Sequence, residues 1–169
     1  MRLSLIGLSL ALSSGVAVAA TCVRPAEHSA LDVEGLKSEL MVTALACGKQ
    51  SQYNAFVNRY KPDLATTEAA LRAYFARTYG RAGQHQQDQY VTQLANGESE
   101  DGIKEGNQFC TQHGPTFDEV MALRGGAELP DYAAGQGLPQ LISTDECTAP
   151  ARVTKVVARR VVHRAKKKK

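Results

Sequence analysis

The sequence contains no tryptophan, only four histidines and 6% aromatic residues. It also lacks the short patterns that mark common catalytic centres: no G-x-S-x-G, H-E-x-x-H, S-x-x-K or P-loop is present. The missing C-x-x-C-H excludes covalent haem attachment of the c type. Glu98, Glu100 and Asp101 do not follow the calcium-loop spacing. After about residue 12 no apolar run approaches the roughly 20 residues of a membrane-spanning helix. No catalytic residue, metal ligand or cofactor is assigned, and the protein is expected to be non-enzymatic.

One pattern invites a metal. Cys110-Thr111-Gln112-His113 has ligand spacing, with His85 elsewhere on the chain. A structural zinc site needs two such pairs, and a cysteine held in a disulfide is not a thiolate ligand. Metal binding is not assigned.

The N-terminal stretch MRLSLIGLSLALSSGVAVAA has Arg2, then an apolar run from Leu3 to about Leu12, then small residues. That order is a secretory signal peptide, expected over residues 1–20. The residues before Cys22 match a lipid-attachment motif poorly. Four cysteines follow, Cys22, Cys47, Cys110 and Cys147, and an even number in an exported chain implies two disulfides. A periplasmic or secreted location is the corresponding expectation.

The net charge of +3 conceals a polarity. Thr21 to Pro150 holds 10 lysines and arginines against all 17 acidic residues, a charge of −7. Arg152 to Lys169 holds nine cations and no acid, a charge of +9. These are Arg152, Lys155, Arg159, Arg160, Arg164, Lys166, Lys167, Lys168 and Lys169, with Val153, Val156, Val157 and Val161 interleaved at helical spacing. Such a segment suits polyanions, bound electrostatically and lost with salt. Behind a secretory leader, an anionic envelope surface or another protein is the expected partner, and a specific nucleic acid is not. A solubilising, disordered tail is the simpler alternative.

Between leader and tail the pattern is helical throughout, with no strand-like alternation. Leu36, Leu40, Ala44 and Cys47 form one helical face, begun at Ser29 and stopped by Gly48. Pro62 should break the next segment at Lys61, and Gly80 should end it. A short helix over about His85 to Asn96 would bury Tyr90, Val91 and Leu94. Another, begun at Ser99, would bury Ile103, Phe109 and Cys110, and Thr116 with Glu119 would box the start of a last one. The expectation is all-α: a small antiparallel bundle with two disulfides over 21–126, a loop over 127–150 tethered by Cys147, and a disordered basic tail over 151–169. Simple up-and-down topology favours pairing Cys22 with Cys110 and Cys47 with Cys147. Tyr53, Phe56, Tyr60, Tyr74, Phe75 and Tyr79 are expected in the core; the alternative is a groove serving a small-ligand carrier or an acid-protective chaperone.

The stretches LDVEGLKSELMVTALACGKQSQYNAFV and QYVTQLANG, followed by Cys110, resemble a group of small exported alphaproteobacterial proteins with no established activity. The resemblance covers roughly Cys22 to Cys110. Some of the group carry an adenosylhomocysteine-hydrolase label. That chemistry uses NAD, and the chain has neither a G-x-G-x-x-G turn nor the length of a dinucleotide domain.

Overall fold

A computed structural model describes residues 22–147. The signal peptide expected over 1–20 and the basic tail over 151–169 lie outside the described residues. Within them the chain is helical, with seven α-helices: α1 (Pro25–Cys47), α2 (Gln50–Arg59), α3 (Lys61–Tyr79), α4 (Gly83–Glu105), α5 (Phe109–His113), α6 (Thr116–Ala122) and α7 (Leu129–Gly135).

Helix α1 is the axis, packed against α3, α4 and α7 and, toward its C-terminal end, against α2 and α5. Its sequence explains that position, because apolar side chains occur all round it rather than on one stripe. One side carries Val33, Leu36, Leu40 and Ala44, which pack with Phe56 and Tyr60 of α2, Phe117 and Val120 of α6, and Leu129 and Ala133 of α7. The other carries Ala30 and Leu31, which join Val23 ahead of α1, Leu71, Tyr74 and Phe75 of α3, and Tyr90 and Leu94 of α4. A helix between two cores buries most of its length, so several of its charged residues, Glu27, Glu34 and Glu39 among them, are carried inside.

The helix punctuation is instructive. Gly48 and Gly80 stop α1 and α3 as expected, Gly48 with a left-handed backbone at φ 68°. Pro62 falls in the first turn of α3, where its missing N–H is harmless, and the chain breaks just before it. Helix α1, however, starts at Pro25 rather than Ser29. Pro25 is preset for a first turn, and Glu27 accepts the Arg24 backbone N–H at 2.8 Å. Thr116 does not cap α6; it is the first helical residue and is buried, while Glu119 accepts a bond from the Tyr132 hydroxyl at 2.9 Å.

The largest correction concerns α4, which runs unbroken through Gly97 from Gly83 to Glu105. An interior glycine costs about 1 kcal/mol, less than the packing of a 23-residue helix on α1 and α3 returns. One helix in place of two removes a reversal of direction and so reverses the cysteine geometry. Arg77, in the last turn of α3, bonds the carbonyl of Cys22, so α3 is antiparallel to α1. Helix α4 returns parallel to α1 and delivers Cys110 to the end where Cys47 lies. The disulfides are accordingly Cys47–Cys110 and Cys22–Cys147, not the pairing expected from simple up-and-down topology.

The segment 127–150 was expected as loop, and part of it is helix. Leu129 and Ala133 of α7 are buried against the first core, with Pro130 in its first turn. From residue 138 the chain runs back along α1. Leu138 packs beside Gly35, Gln140 bonds Asp32, and Glu146 bridges Val23. Cys147 tethers it as anticipated. Ile103, expected in the core, is 82% exposed.

Candidate functional site

Two rows of carboxylates enter the interior on α1 because acids recur at a spacing of seven, near two helical turns: Glu27 with Glu34, and Asp32 with Glu39. A buried carboxylate needs a partner. Glu27 has Arg77, whose Nη2 and Nε donate to its two oxygens at 2.6 and 3.2 Å. Burial works against the Glu27 carboxylate, but the Arg77 bond, the Arg24 backbone bond and both arginine charges hold its pKa below the usual value. Glu34, 1% exposed, accepts from Lys37 Nζ at 2.7 Å, while its Oε1 has no hydrogen-bond partner among the described residues. Burial, with the charge of Glu68, raises its pKa despite Lys37.

The third acid belongs to the most distinctive constellation in the molecule. His113, closing α5, has Nδ1 at 2.8 Å from Glu39 Oε1 and Nε2 at 3.4 Å from Glu105 Oε2. Glu98 completes the group from α4. Desolvation disfavours the imidazolium, yet the Glu39 hydrogen bond and the charges of Glu39, Glu105 and Glu98 hold the His113 pKa above its usual value. For Glu98, burial first, then repulsion from Glu39, Asp101 and Glu105, outweighs His113 and pushes the pKa to about 7. Of this group Glu98 is the member whose charge changes near neutrality. The cluster sits beside the Cys47–Cys110 disulfide, at the end of α1 where α4 and α5 meet.

No cysteine among the described residues is free. Metal chemistry does not fit. Both ring nitrogens of His113 face carboxylates, Cys110 is oxidised, and His85 lies in the first turn of α4, about 30 Å of helix from Glu105. Among the described residues no group of three or more His, Cys, Asp or Glu is arranged to hold a metal ion.

The aromatic residues considered for a groove divide instead between the two cores. Phe56 and Tyr60 lie in one with Tyr53 against it, and Tyr74 and Phe75 in the other, with Tyr79 stacked on Phe75 at 5.8 Å. Among the described residues, concavities lie elsewhere. One of about 330 Å³ runs between α1, α3 and the start of α7, lined by Ala26, Ala30, Thr66, Ala70, Leu129 and others. Another of about 430 Å³ lies between the C-terminal ends of α1 and α4, lined by Val42, Leu45, Ala46, Ser99, Gly102 and Ile103. Glu98 directly precedes Ser99, which lines the second.

The nine cations of 152–169 lie outside the described residues. All four cysteines were identified from sequence and are paired, though differently from expectation. The Glu39–His113 pair was missed: 74 residues separate its members, and the only local signal was an acid inside an apolar helix. No described helix is long and apolar enough to cross a membrane. No protein-family model matches the chain, and neither curated proteins nor solved structures provide a match.

Proposed function

We propose that this is an exported, non-catalytic interaction protein of the periplasm or cell exterior, in which an acidic, disulfide-clamped helical body carries a basic arm for anionic surfaces. The observation supporting it is the charge division, −7 over 21–150 and +9 over 152–169, combined with the Cys22–Cys147 tether. That bond fixes the chain to the body five residues before the first cation of the arm. Two disulfides fit an oxidising compartment. The arm supplies attraction, and the acidic body, repelled by the same surface, is held off it. Binding of this kind is non-specific in sequence and falls steeply with salt.

The test is co-sedimentation with phosphatidylglycerol-containing and neutral phosphatidylcholine vesicles, using the full chain and a chain lacking residues 151–169. Binding to the anionic vesicles alone, abolished by 0.5 M salt and by loss of the arm, is the expected result. Equal binding without the arm rejects the proposal. The 330 Å³ groove between α1, α3 and α7 supports a second reading, a carrier of a small apolar ligand, for which native mass spectrometry of purified protein would show a retained molecule.

A further inference from the structure

The groove between the C-terminal ends of α1 and α4 combines two properties that rarely go uncovered together. Its walls are apolar, with Leu45 66% and Ile103 82% exposed above Val42, Ala46 and Gly102. Its α4 wall is flanked by acids: Glu98, Glu100 and Asp101 stand next in sequence to the lining residues Ser99 and Gly102, and Glu105 follows two residues after Ile103, against Lys104. Lys104 is already engaged by Asp101 at 2.7 Å. An apolar floor with an anionic rim calls for a partner that is apolar and cationic at once. An anionic surface is the wrong partner for it.

The chain contains such a segment, KVVARRVVHR over residues 155–164. We propose that this segment docks in the Leu45–Ile103 groove of its own body, valines on the apolar floor and Arg159, Arg160 and Arg164 against the acidic rim. The reach is right. Cys147 is held at the start of α1 by Cys22, and Leu45 lies about 30 Å along that helix, at about 1.5 Å per residue. Nine residues from Cys147 to Val156, at about 3.3 Å each, span the same distance. Arg152 and Lys155 bridge the interval, and Lys166 to Lys169 pass beyond the groove. Tethering makes the docking intramolecular, so a weak intrinsic affinity is raised by a high effective concentration.

The docking stands independently of vesicle binding, but the two uses of the arm compete, because the same arginines serve both. In dilute, low-salt solution the arm is latched to the body, and an anionic surface releases it.

The test uses the full chain without vesicles. Nuclear Overhauser contacts are expected between the methyls of Val156 and Val157 and those of Leu45 and Ile103 at 50 mM salt, and lost at 0.5 M. Trypsin provides a second readout, since a ten-to-one docked population slows cleavage after Arg159 and Arg160 about tenfold. The exposed-site variant Leu45→Lys/Ile103→Lys should restore fast cleavage while leaving the helical circular dichroism unchanged. Methyl contacts to any other part of the body, or cleavage equally fast in both proteins, overturn the proposal. In a 1:1 mixture of isotope-labelled and unlabelled chains, contacts seen only between chains assign the groove to a second copy's arm and overturn it as well.

Discussion

Replacing Arg77 by alanine should be among the most costly single changes in the body. Among the described residues Arg77 joins α3 to the start of α1 by hydrogen bonds to Glu27, at 2.6 and 3.2 Å, and to the Cys22 carbonyl at 2.9 Å. Its guanidinium also lies 5.6 Å from the centre of the Tyr74 ring. Arg77→Ala leaves Glu27, whose side chain is 5% exposed, with the Arg24 backbone bond and an exposed Arg24 side chain 4.0 Å away. Orphaning one member of a buried pair costs about 3–5 kcal/mol. Arg77 itself is 24% exposed, so water takes over part of its role and about 2–3 kcal/mol is expected. With about 2.1 cal/mol/K per residue over the described body, that lowers Tm by roughly 8–11 °C.

Urea unfolding with both disulfides intact measures the loss. Glu27→Gln in the Arg77→Ala background should recover part of it, because the uncompensated charge is removed. The sign with pH follows from the lowered Glu27 pKa. The stabilisation is fully present above the unfolded value near 4.5 and is lost as pH falls through the lower folded value, so wild type and variant should converge in acid. A loss below 0.5 kcal/mol at pH 7, or a difference that persists unchanged at pH 2, would refute the reasoning.

Opening the Cys47–Cys110 bond with a Cys47→Ser/Cys110→Ser pair frees a span of 63 residues, for which chain entropy gives about 4 kcal/mol; denaturant midpoints check it. Glu98→Gln should stabilise the body by about 1–2 kcal/mol at pH 8 and by almost nothing at pH 4. The folded pKa of about 7 lies above the unfolded one, so ionising Glu98 against Glu39, Asp101 and Glu105 costs stability only as pH rises between the two. His113, also raised, contributes stability below its unfolded pKa that is lost as pH rises through the folded value. Thermal melts from pH 4 to 9 read both. Gly83→Ala should destabilise by about 1–3 kcal/mol, because a Cβ there would lie 2.8 Å from the Phe75 carbonyl oxygen and 2.9 Å from Ala76 Cα, both backbone atoms.

The helices were legible where local chemistry sets them. Gly48, Pro62 and Gly80 punctuate the chain through backbone restrictions that no tertiary contact needs to supply. The reading failed where a long-range contact outweighed a local signal. Gly97 looked like a stop, but α4 continues through it because Leu94 before it packs into the α1–α3 core and Gly102 beyond it lies against the Phe109 ring, where an added Cβ would meet it at 3.6 Å. Pro130 in a glycine-rich stretch looked like loop, but it opens α7, whose Leu129 and Ala133 fill a gap in the other core.

Sequence by itself determined the helical class, the engagement of all four cysteines in disulfides and the opposition of an acidic body to a basic arm, since periodicity, residue type and charge are properties of the chain alone. Which cysteines meet, and which acids become buried, depended on the direction in which each helix runs. That direction changes with a single continued or broken turn at Gly97, whose outcome is settled by packing around α1. The same continuation carries Glu98 and Glu105 to Glu39 and His113, and leaves Ile103 facing outward beside Leu45. The titrating cluster and the groove are thus products of tertiary structure, assembled from residues up to 74 positions apart.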